Sequence, residues 1–152
     1  MALRKTIDKI LERILMTIMA IMVVNVLWQV FTRYIMGNPS SFTDELARYL
    51  MIWIGVLGAA YVSGKRLHVS IDFLPSKFNA VTQKKLAQVV NFIIIVFSIG
   101  AMVIGGGRLV YVSFILGQQS PALQIPLAVV YFALPISGIL IVFYKISDIL
   151  NK

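Results

Sequence analysis

Four long apolar runs decide what this chain can become. They lie at about 14–35, 46–63, 86–116 and 125–144. At 1.5 Å of helical rise per residue, each can cross or nearly cross a hydrocarbon core of about 30 Å. Backbone amides in such a run find no water in lipid, so the run has to bond them internally, as a helix. The short, evenly alternating segments from which a membrane barrel closes are missing from the sequence. Composition points the same way. Of the 152 residues, 59% are hydrophobic and only 13% charged, too little polar surface to cover a soluble domain of this size. The sequence therefore predicts an all-α integral membrane protein with four transmembrane helices, built as one domain over 1–152.

The first run follows a basic start, "MALRKTIDKILERILMTIMAIM". A cleavable leader has a short apolar core and a small-x-small site. Here the apolar stretch continues to Arg33, so an uncleaved first span is expected. There is no cysteine, which excludes disulfides, thiolate metal sites and thiol nucleophiles.

The net charge of +8 is distributed between the spans. Eleven of the fourteen Lys and Arg fall before span one, in the segment between spans two and three, or after span four; the two short turns hold none. By the positive-inside rule both termini and the central segment are cytoplasmic. The charge is an orientation signal, with membrane lipid as the surroundings and no nucleic acid as partner. In the central segment Pro75 is followed by Phe78, Val81, Leu86 and Val89 at near-helical intervals, with Lys77, Lys84 and Lys85 between them. That pattern suits an amphipathic interfacial segment over 77–85, and it suits a solvated loop as well.

Chemistry has few places to reside. The middle of each span lacks Asp and Glu, which a self-sufficient carrier needs. One His in the chain excludes paired axial haem ligands, and no zinc spacing, phosphate loop or Ser-His-acid set is present, so no cofactor, no metal and no enzyme activity is expected. Asn25 and Asn91 lie within spans and read as interhelical hydrogen-bond partners more than ion ligands. Gly55 with Ala59, next to Gly58 and near Trp53, and Ala101 with Gly105 are small-xxx-small faces at which helices can approach. "FTDELARY" puts Asp44, Glu45 and Arg48 within one helical turn at the start of span two. Ser41 and Asp44 have the spacing of a capping box, and Asp44 and Glu45 suit the positive end of the helix. Arg33 and Arg108 should reach the same surface. The five form either a solvated cap with snorkelling Arg or an ion-pair cluster that clamps helices or docks a partner. As a clamp, Glu45 pairs with Arg33 or Arg48 and holds the ends of spans one and two. On the opposite side, His68 and Asp72 are four apart, suited to ordering the loop entry or, less simply, to a pH switch.

"RYIMGNPSSFTDELARYLMIWIGVLGAAYVSGKRLHVSIDFLP" resembles the signature region of the small membrane subunit, the Q or DctQ-type subunit, of tripartite ATP-independent periplasmic (TRAP) transporters. Arg33, Gly37, Glu45-Leu46-x-Arg48, Trp53, Gly58-Ala59, and His68 with Asp72 carry the resemblance. "SPALQIPLAVVYFALPI" is similar to the family's fourth span. The resemblance implies a bacterial or archaeal inner-membrane protein that assembles with a large M subunit, which holds the substrate and sodium sites and works as an elevator. It also implies a periplasmic substrate-binding protein that delivers an organic acid, such as a dicarboxylate or sialic acid. Direct contact with that binding protein at the outer face is compatible with the resemblance. Two rival readings are a self-contained small four-helix exporter and a non-transport membrane anchor subunit. The first lacks the intramembrane carboxylate such exporters use.

Overall fold

The computed structural model describes residues 2–38, 40–65 and 80–150. Span one is a single helix, α1, Ala2–Tyr34, and span two is α2, Ser41–Gly64. Span three runs from α3, Ala80–Phe97, through a π-helical stretch, Ser98–Gly105, into α4, Gly106–Ile115. Span four is a short α5, Leu127–Tyr131, followed by α6, Ala133–Leu150. Among the described residues, four helical stretches are long and apolar enough to cross a membrane: Arg4–Tyr34, Ser41–Gly64, Lys85–Ile115 and Leu127–Ile149.

Helix α1 begins about a dozen residues before the apolar run does. Hydropathy marks where lipid begins, whereas the helix continues through the start, where good helix formers (Ala, Leu, Lys, Arg and Glu12) predominate. His68 and Asp72 lie outside the described residues. So does the beginning of the proposed interfacial segment; from Ala80 the chain is already helical.

The spans stand side by side in the order one, two, four, three: α1 packs on α2, α2 on α6, and α6 on the π-helical stretch. The core forms where three of them meet, from Leu11 of α1, Leu57 and Ala60 of α2, and Ile141 and Tyr144 of α6, with Trp53 packed at its edge. Away from this core large apolar side chains remain exposed, among them Leu27, Phe92 and Phe114, as suits a protein whose solvent is hydrocarbon.

Close approach between helices occurs at glycines other than those the small-residue pattern pointed to. A methyl group added to Gly64 would come within 2.7 Å of the Tyr144 ring, and one on Gly138 within 2.8 Å of Met102 Cβ. Gly106 is likewise pressed against Leu134 and Pro135. By contrast Gly55 and Gly58 face open space, Ala59 and Ala101 are exposed, and exposed Gly105 meets only the Gly100 carbonyl of its own helix. Small side chains permit approach, but the packing order decides which faces meet. Span two also bonds span four directly, through Ser137 Oγ donating to the Val56 carbonyl at 2.6 Å.

Candidate functional sites at the two ends of the helix layer

Both short turns lie at one end of the layer, which we call the turn end. Gly117, with φ of +59°, stops α4. The chain then folds back on itself through an isolated bridge between Gln119 and Pro126, with the Ser120 amide donating to the Ile125 carbonyl at 3.0 Å. This fold-back leaves the amides of Ala122 and Leu123 facing α2. Glu45 takes them both: its Oε2 accepts from Ala122 N at 2.8 Å and from Leu123 N at 3.0 Å, while Oε1 accepts from the Tyr49 hydroxyl at 2.7 Å. Leu123 N also reaches Ser120 Oγ at 3.2 Å, and Ser120 is buried. A carboxylate accepting several donors is held by charge-assisted bonds. Glu45 thus ties span two to the turn between spans three and four.

This corrects the expected pairing in two respects. Arg48 Nη2 bonds Asp44 at 2.6 Å, and Glu45 has neither Arg33 nor Arg48 as an ion-pair partner among the described residues. The seam between spans one and two is made instead by neutral amide donors of span one. Asn25 Nδ2 donates to the Thr43 carbonyl at 2.7 Å, and Gln29 Nε2 to Asp44 Oδ1 at 3.1 Å. The capping box is also absent. The helix N-cap is Ser40, without a side-chain cap bond, and Thr43 Oγ1 donates back to the Ser40 carbonyl at 2.9 Å.

Around these groups opens a polar cleft of about 450 Å³, lined by Gln29, Arg33, Asp44, Glu45 and Arg48 from spans one and two and by Pro121 and Ala122 from the second turn. Arg33 makes no ion pair among the described residues. Arg108 does not line the cleft; it is exposed on α4. Four of the five expected residues thus gather, and the fifth stands apart.

The other end, which carries the chain termini, holds a network that sequence patterning did not single out. Arg4 Nη1 bonds Asp148 at 2.7 Å, its Nη2 donates to the Gly64 carbonyl, and the guanidinium lies 5.5 Å from the Tyr144 ring centre. The Tyr144 hydroxyl donates to Asp8 at 2.6 Å. Spans one, two and four are joined there by a network whose Arg4 the positive-inside count treats as loop charge. A signal was present, since Arg4 and Asp8, and Tyr144 and Asp148, are each four apart and so share a helix face. No group of three or more His, Cys, Asp or Glu that could hold a metal occurs among the described residues.

The family comparison joins this architecture to a known class. Residues 22–152 match the model of tripartite ATP-independent periplasmic transporters, DctQ component. The chain belongs to the DctQ family. Among its relatives is the sialic acid TRAP transporter small permease protein SiaQ of Vibrio cholerae, 30% identical over 98% of this chain and 84% of the relative. The C4-dicarboxylate TRAP transporter small permease protein DctQ of Rhodobacter capsulatus is 29% identical over 67% of this chain and 44% of the relative. As a DctQ-family protein with four apolar helices, the chain is a multi-pass inner-membrane component of a TRAP transporter, in a family of permease subunits and not of enzymes. The match takes in every residue of the polar cleft.

Proposed function

We propose that this chain is the small, non-translocating subunit of a sodium-coupled, binding-protein-dependent importer of an organic acid. It assembles with the large M subunit, which carries substrate and sodium. The relatives named for sialic acid and C4-dicarboxylate suggest the solute class. The observation that carries the reading is the placement of charge. The hydrogen-bonded acids of the described spans stand at helix ends, tied to the neighbouring chain: Glu45 to the 117–126 turn, Asp44 to Gln29 and Arg48, Asp8 to Tyr144, and Asp148 to Arg4. Between those ends the helices meet through Leu57, Ala60 and Ile141, an apolar seam unsuited to carrying an ion or an anionic solute. Such a chain suits a scaffold. The cleft at the turn end, with Arg33 free of ion pairs among the described residues, suits a contact with the periplasmic binding protein.

Reconstitution tests this. Liposomes containing the chain, with binding protein and a sodium gradient, should take up no organic acid. Adding a large M subunit from the same organism should give uptake, and the two should purify together. Robust uptake by the chain alone would end the scaffold reading.

A further inference from the structure

Arg108 is a charge that neither the cleft nor the terminus network uses. It lies within the membrane-crossing stretch of span three, it is exposed, and it makes no ion pair among the described residues. Its depth follows from contacts. Ser137 bonds the Val56 carbonyl, and the next residue, Gly138, lies against Met102 and Val103, so Val56 and residues 102–103 stand at nearly one level. From that level Glu45 is about three helical turns towards the turn end and Arg108 only about one and a half. Arg108 therefore sits on the order of 8 Å inward of the Glu45 carboxylate. A cation at that depth is costly unless something pairs with it.

The surroundings of Arg108 leave room for a helix. Gly105 and Ala101, one and two turns below it, are exposed, and no atom lies within 4 Å of the position a methyl group would take on Gly107. Small residues thus stand beside an unpaired guanidinium, flanked on the same side of the helix by the exposed side chains of Ile104 and Phe97. Exposed Tyr111 and Val112 stand between Arg108 and the turn end, so Arg108 would have to reach past them to meet a headgroup phosphate at the end of the span. A neighbouring helix can instead approach at Ala101 and Gly105, packing against Ile104, at the depth of Arg108 itself.

We propose that the Ala101–Gly105–Arg108 face of span three docks a transmembrane helix of the large partner subunit, and that an Asp or Glu on that helix pairs with Arg108. The inference rests on the assembly proposed above and adds its face and its chemistry. The small residues set the distance between the helices, and the ion pair sets their register.

The test uses the co-expressed complex, extracted in detergent and captured through a tag on the small chain. Arg108→Glu and Gly105→Leu should each lower the recovered large subunit about tenfold or more, the scale expected when one partner of a desolvated interfacial ion pair is lost. Arg108→Lys should lower it far less. Both disruptive variants should melt like the parent when the small chain is purified alone, because neither position is packed in it. Changing one membrane-embedded acid of the large subunit to Arg should restore recovery with Arg108→Glu. Unchanged recovery with Arg108→Glu, while the parent chain brings the large subunit down, overturns this surface alone. Loss of bound phospholipid from that variant with the large subunit retained also overturns it, since Arg108 would then be a lipid contact. Failure of the parent chain to bring down any large subunit overturns the assembly and this surface together.

Discussion

At the scale of single residues, the chain separates two neighbouring acids that the sequence presents as equivalents. Asp44 bonds Arg48 on its own helix and takes Gln29 from span one. Glu45, one residue on and so rotated about 100° around the helix, takes two backbone amides of a turn 77 and 78 residues away. Replacing Glu45 by Gln keeps its shape, but the turn then loses a charged acceptor and can meet an amide donor instead. Glu45→Gln should therefore lower the melting temperature of the purified chain more than Asp44→Asn does. It should also reduce uptake through loss of assembled complex, with the rate per complex preserved. Were Glu45→Gln to leave stability and assembly intact while abolishing sodium-driven uptake, Glu45 would belong to the transport cycle and not to a clamp.

At the scale of elements, glycine positions in the helices behave oppositely according to which face they occupy. Gly64 lies under the fully buried Tyr144 ring, itself held by Arg4 and Asp8. Gly64→Ala has to displace a ring that cannot easily move, and should destabilise the isolated chain by about 1–3 kcal/mol, as overpacking does. Gly58→Ala meets nothing within 4 Å and should leave the isolated chain near its parent stability. Thermal melts in detergent check both. Equal losses would mean that the helices do not pack in the order described. The sequence contains the small-residue spacing at Gly55, Ala59, Ala101 and Gly105, but a spacing along one helix carries no information about which neighbour stands opposite. Trp53, expected at a packing position, is placed at the edge of the core.

At the scale of the whole molecule, the helix layer has two chemically different ends. The turn end holds the polar cleft, and the terminus end holds the Arg4, Asp8, Tyr144 and Asp148 network. From the distribution of basic residues the turn end should face out of the cytoplasm. A cysteine at Asn38 should react with an impermeant thiol reagent added to the periplasmic side, and one at Asn79 should not; the reverse labelling pattern would invert the placement of the cleft and of any docking binding protein. Arg4 is one of the residues counted for that orientation, yet it is paired with Asp148.

The class of solvent and the presence of four helices long and apolar enough to cross were legible in the amino-acid order alone, whereas the start of α1, about a dozen residues before its apolar run, was not. The legible properties are local: a run of apolar residues in lipid has no alternative to internal hydrogen bonding. The gathering of Arg33, Asp44, Glu45 and Arg48 near one surface was legible too, because a short turn between two helices brings its flanks to similar depth. The fold was needed to show that the spans stand in the order one, two, four, three, and that Glu45 bonds the Ala122 and Leu123 amides and not an arginine. It was needed as well to show that Arg108 stands apart from the cleft, and that Arg4 and Asp8 of span one meet Asp148 and Tyr144 of span four. Each of these turns on which residues far apart in the chain come into contact. Such contacts depend on how the helix faces are rotated and ordered when they pack, and the four- and seven-residue spacings within one helix leave that open.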